Sequence, residues 1–213
     1  MVTMPKVIIS YSGFLDEVYT NYFTSDSFKE SIYYTQHKTA KVLSSEEVKE
    51  KHKLFVEEWK KYEEKIFISM YEASGLSLKR NTIDVYLIRV AARTFANPII
   101  ISASISTMDF VSLLIHEIIH RLINEGLGSN KKKLLDISKK LYPGETESTI
   151  IHITLYAIQF SVLETFPDAA DRMALEKTNA ERFKNTDYSR AIEIVEKEGY
   201  SELLKKLKEE MVK

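Results

Sequence analysis

From Thr107 to Asn124 the chain reads TMDFVSLLIHEIIHRLIN, without Pro or Gly and with Leu113, Leu114, Ile115, Ile118, Ile119, Leu122 and Ile123 spread around nearly the whole circumference of a helix. A helix that is apolar on every side is one that other protein surrounds, so this segment must lie in the core. It nevertheless carries His116, Glu117 and His120, and burying such groups is costly unless they are paired or hold a metal. Positions i and i+4 share a helix face. His116 and His120 are therefore placed to bind one zinc ion, with Glu117 beside a water on that ion as its general base. The competing arrangements are a His-Glu-His cluster satisfied by hydrogen bonds in the core, and Glu117 paired with Arg121 four residues on. Ser106 and Asp109 supply a capping signal before the helix, and Gly126 with Gly128 supplies a stop after it.

Composition fits an ordinary domain around this helix. The 213 residues, 44% of them hydrophobic, suffice for one sizeable core, and a single domain over 1–213 is expected, with 1–44 as an aromatic-rich segment and 167–213 as terminal helices. Lys and Arg number 30 against 31 Asp and Glu. That balance gives no basic field, so no nucleic-acid partner is expected. Cysteine is absent, which removes disulfides, thiolate ligands and a cysteine nucleophile and leaves imidazole and carboxylate to hold a metal. The amino terminus shows no leader pattern and no apolar run approaches the length of a membrane span, so the expectation is a cytoplasmic protein with no membrane partner. Oligomeric state is not set by these features.

Lys6 to Tyr11 (KVIISY) is expected to be a short buried strand or the lead into the first helix, broken at Gly13. Tyr19, Tyr22, Phe23, Phe28, Tyr33 and Tyr34 follow without interleaved basic residues, which favours core or edge packing over stacking on bases. Ser45 to Ser74 has helical spacing of Val48, Leu54, Phe55, Trp59, Tyr62, Ile66, Phe67 and Met70, and its charged face, with His52 in it, reads as solvated surface. Two strands, Ile83 to Val90 and Pro98 to Ser104, precede the HEIIH helix. After it come a basic turn over 126–133, a short helix over Leu134 to Leu141, an apolar helix from about Glu145 to Thr165, and a helical tail divided at Gly199. The expected class is α+β, with a small sheet packed against the HEIIH helix and additional helices.

A long helix, strands, a buried helix bearing HEIIH and a further helix able to supply another ligand resemble, over Ser45 to Phe166, the zincin metalloproteases, the group that includes thermolysin. The resemblance implies a metalloprotease-like core over 45–166, zinc held by His116 and His120, Glu117 acting on the catalytic water, and a peptide or protein substrate. In that family the strand before the active-site helix often lies along the cleft and pairs with extended peptide, a role that falls here to Ile99 to Ser104. The metzincin pattern HExxHxxGxxH fails, since Ile123 and Gly126 occupy its last two positions. Gluzincins use a later glutamate, for which Glu147 and Glu145 are available. Glu145, Ser148, His152, Tyr156 and Gln159 also form a polar stripe on an otherwise apolar helix, which must turn toward something polar. His152 is accordingly preferred as third ligand, with Glu147 and Glu145 as alternatives.

The chemistry expected of such a set is hydrolysis of an amide, with Glu117 taking the proton of a water that zinc acidifies and Tyr156 or Tyr142 donating to the developing oxyanion. The expectation is thus a zinc metallopeptidase or related amide hydrolase. The alternative is a non-enzymatic regulatory or interaction domain in which HEIIH is structural or vestigial.

Overall fold

The structure, a computed structural model, describes residues 4–31, 34, 41–91, 94–182 and 186–212. It is mostly helical with one small mixed sheet, an α+β architecture. The order is β1 (Lys6–Tyr11), α1 (Gly13–Thr24), α2 (Asp26–Lys29), α3 (Ser45–Ser74), β2 (Thr82–Ile88), β3 (Phe95–Ala96), β4 (Ile99–Ser102), α4 (Thr107–Leu127), α5 (Lys131–Leu141), α6 (Glu147–Leu163), α7 (Ala169–Arg182), α8 (Thr186–Glu198) and α9 (Tyr200–Val212), with a 3-10 turn at Gly128–Asn130. By compactness the chain groups into two units, Met4–Glu63 with Arg80–Glu117 and Glu64–Lys79 with Ile118–Lys213, and α3 and α4 each run through both.

The first unit is built on the sheet, in the order β1-β2-β4-β3. Strand β2 is central. It pairs in parallel with β1 (Val7 opposite Ile83) and with β4 (Leu87 opposite Ile101), and its Ile83, Val85 and Leu87 are wholly buried, as alternation along a strand with one covered face requires. Its other face ends at Ile88, which packs with Ala91 and Ile100 beneath Leu15 and Tyr19 of α1. The short β3 runs antiparallel outside β4, placing Phe95 opposite Ile100 and Ala96 opposite Ile99. This corrects the expectation for Ile99 to Ser104. Strand β4 is buried at every residue and flanked on both sides, so the edge beside it belongs to β3.

The opposite edge, β1, is covered by α3. Glu63 accepts a hydrogen bond from the Val7 amide at 2.8 Å, and His52 Nε2 donates to the Ile9 carbonyl at 2.9 Å. Covering the outward backbone groups in this way blocks further strand pairing there. His52 is thus half-buried and engaged rather than solvated, which its charged sequence neighbours conceal. Helix α3 also steadies the entry to α4. Lys51 donates to the Ile105 carbonyl, and Phe55 stacks on Phe110 with ring centroids 4.1 Å apart and planes 7° from parallel. Ser106 then caps α4, its hydroxyl accepting from the Asp109 amide and donating to the Asp109 carboxylate.

Helix α1 begins where a break was expected. Ser12 caps it, accepting from the Leu15 amide, and Gly13 is its first residue. The aromatic segment packs on itself, with Phe28 buried among Phe23, Tyr22 and Tyr34, while Tyr33 lies outside the described residues.

In the second unit α6 is the central helix, packed by α5, α7, α8 and α9, which accounts for a sequence apolar on nearly all sides. The stop after α4 differs in detail from the expectation. Gly126 remains helical, and a Cβ there would meet Leu76 Cβ at 3.1 Å, so glycine admits the passing chain. Gly128, at φ +50°, ends the helix. Among the described residues no helix is long and apolar enough to cross a membrane.

Asp16 ties three parts of the first unit together. Its buried carboxylate accepts from Tyr11 Oη at 2.7 Å and from the Arg89 amide and Nε, both at 2.6 Å. Asp16→Ala strands these donors and is expected to lower stability by about 2–3 kcal/mol in urea unfolding. An unchanged midpoint would show that water satisfies them equally well.

Candidate metal centre

Helix α4 sets His116 and His120 one turn apart, and α6 brings His152 to them. One nitrogen from each of the three lies within 4.8 Å of the other two. His116 and His152 are buried and His120 is half-buried. The His120 and His152 rings meet edge to face, with centroids 5.2 Å apart and planes at 84°. A tetrahedral zinc with bonds of about 2.0–2.1 Å sets its ligand nitrogens about 3.3 Å apart, inside the 4.8 Å within which the three nitrogens lie.

Two of the three donors have the protonation that a metal requires. Burial, aided by the charges of His152 and Lys131, pushes the His120 pKa down to about 4. Burial also lowers that of His152, against the opposing pull of the Ser148 carbonyl and Asp187. Both imidazoles are therefore neutral near pH 7. A carbonyl oxygen only accepts, so the 2.7 Å contact of His152 Nδ1 with Ser148 O fixes the proton on Nδ1 and leaves the lone pair on the buried Nε2. This is the tautomer in which a histidine coordinates through Nε2 while its other nitrogen is held by backbone.

Glu117 is buried beside this group on α4, and its carboxylate accepts from the Thr94 hydroxyl just before β3. The other two glutamates weighed as ligands are engaged elsewhere. Glu145 accepts from Arg190 Nε and Nη2 at 2.9 and 2.8 Å, and Glu147 stands exposed in an ion pair with Lys139. Tyr156 is buried one turn beyond His152, with ring centroids 6.2 Å apart. Burial, then the charges of Glu176 and Tyr188, drive its pKa upward, so its hydroxyl keeps its proton. Tyr142 is occupied by a 3.0 Å hydrogen bond to Glu198.

Three neighbours of the site have no signal in sequence spacing. Thr94 meets Glu117, Tyr188 of α8 lies against His152 with ring centroids 4.1 Å apart, and Asp187 receives the Thr146 and Thr149 hydroxyls. Each reaches the site from a distant part of the chain. Comparison with protein-family models, with characterised proteins and with solved structures yields no match.

The depressed histidine pKa values have a measurable consequence in metal-free protein. Unfolding restores His120 from about 4 to the ordinary 6.5, so between these limits the unfolded chain binds more protons. Stability is then full above about pH 6.5, falls as pH drops toward 4 and levels off below it, with a slope of up to about 1.4 kcal/mol per pH unit from this group. Subtracting the unfolding free energies of His120→Gln from those of chelator-treated wild type across this window isolates the effect. A difference that does not change with pH would mean that His120 protonates as easily in the fold as outside it.

Proposed function

We propose that the protein is a zinc-dependent hydrolase of amide bonds, with peptides as the favoured substrate class, and that its fold is zincin-like around α4 and α6. The observation that carries this is the meeting of three largely buried imidazoles, two of them held neutral by burial, with a buried glutamate on the same helical turn as two of them. His116, His120 and His152 would hold the ion. Zinc so bound supplies Lewis acidity toward a water and a substrate carbonyl.

The remaining roles belong to the chain. Glu117 receives the proton of the attacking water and returns it to the leaving nitrogen, and the Thr94 hydroxyl fixes the rotation of its carboxylate. Tyr156, held protonated, is the donor assigned to the oxyanion. Peptide as substrate is supported by the resemblance of the HEIIH helix and its neighbouring elements to the zincins, and by the antiparallel edge strand β3, which enters the site through Thr94.

Elemental analysis of protein purified without added metal, followed by titration with Zn2+, tests the centre. Zinc is expected at one equivalent, and His152→Ala is expected to weaken it far more than Glu147→Gln or Glu145→Gln. Glu117→Gln is expected to keep zinc while hydrolysis of unstructured polypeptide falls by about two to four orders of magnitude. Failure of wild type to bind zinc overturns the proposal. Equal turnover in zinc-loaded wild type and Glu117→Gln overturns the mechanism alone.

A further inference from the structure

The first turn of α6 is fastened to the start of α8 through one carboxylate. Thr146 Oγ1 donates to Asp187 Oδ1 at 2.6 Å, Thr149 Oγ1 donates to the same oxygen at 3.0 Å, and the Ser148 hydroxyl also reaches this carboxylate. The residue between those two threonines that matters for the site is Ser148, because its carbonyl holds His152 Nδ1. The next residue of α8, Tyr188, lays its ring against the His152 ring at 4.1 Å with planes 36° apart, and stands 6.1 Å from Tyr156. One side of the His152 ring plane is thus set by Tyr188, and the carbonyl that fixes its rotation is set by the turn that Asp187 clamps.

We propose that Asp187 and Tyr188 are positioning residues of the metal centre: the α8 start locks His152 in its ligand orientation and makes α8 part of the site. This rests on the assignment of His116, His120 and His152 as metal ligands. A carboxylate at the amino end of α6 is also favourable to that helix, whose first-turn amides carry partial positive charge. The helix contribution alone predicts a loss of stability on removing Asp187. A positioning role predicts a change at the metal, and the two are separable. The negative charge that Asp187 places near His152 adds to the ring's attraction for a cation, as carboxylates behind metal-bound histidines do.

The test is zinc affinity by chelator competition, and the absorption spectrum of the Co2+-substituted protein, for wild type, Asp187→Asn, Tyr188→Phe and Tyr188→Leu, with the fold of each checked by circular dichroism. Asp187→Asn is expected to lower zinc affinity by about 10- to 100-fold and to alter the Co2+ bands, which report ligand geometry. Tyr188→Phe keeps the ring and is expected to stay within about twofold of wild type, whereas Tyr188→Leu falls by about tenfold. Should Asp187→Asn fail to fold, Thr149→Val removes one donor at constant shape and is expected to give a smaller loss in the same direction. Wild-type affinity and an unaltered Co2+ spectrum in the folded Asp187 or Thr149 variant, and in Tyr188→Leu, overturn the positioning role and leave the metal centre standing. A wild-type protein with no affinity for either ion overturns both.

Discussion

Two mostly buried helices each carry polar groups with little access to bulk water. On α4 these are His116, Glu117 and Arg121, and on α6 they are His152, Tyr156 and Gln159, all at most 7% exposed. An imidazole left in such a place without partners costs several hydrogen-bond equivalents, and a charged one costs more. The chain lowers this cost by keeping His120 and His152 neutral and by bringing the histidines of the two helices together. A metal ion, as proposed, would lie among these three imidazoles.

The sheet unit decides which way the α4 residues face. Only residues 103–106 separate β4 from α4, so the helix inherits its start from a strand buried on both faces. Lys51 on the Ile105 carbonyl, the Phe55–Phe110 stack and the Ser106 cap fix that start from three directions. With the first turn held, the rotational phase of His116 and Glu117 two to three turns later follows from helix geometry. The same helix α3 that grips this entry also covers the β1 edge through Glu63 and His52. Its charged sequence face therefore combines solvated residues with three that are structural, Lys51, His52 and Glu63.

What the sequence made legible was whatever repeats with the period of a helix or strand. The bounds of α3, the buried character of α4 and α6, and the strands β2 and β4 all follow from runs of Ile, Val, Leu and Phe at regular spacing. The polar stripe on α6 pointed to His152 because a lone polar face on a buried helix must meet another polar group. Strand β3, two residues long, is too short to carry a period, and its absence from the sequence pattern led to the edge being placed on β4. Gly126 looked like a stop because glycine usually is one there; its real constraint is a contact with Leu76, fifty residues away in sequence. Thr94, Asp187 and Tyr188 were invisible for the same reason. A hydroxyl or carboxylate in a loop or first helical turn resembles an ordinary cap until the partner helix is known.

The nature of the donor set carries a further consequence. Two histidines and a glutamate bring one negative charge to a divalent ion, whereas three neutral imidazoles bring none. With zinc bound as proposed, carboxylates outside the ligand set would offset part of the ion's charge. The structure offers Glu117, on the same turn as His116, and Asp187, whose pKa is held below the ordinary carboxylate value chiefly by the Thr146 hydroxyl. An Asp187 kept ionised to lower pH is a lasting source of negative charge near His152. Under the proposed chemistry, the clamp that joins the amino end of α6 to α8 would therefore supply His152 with negative charge as well as orientation.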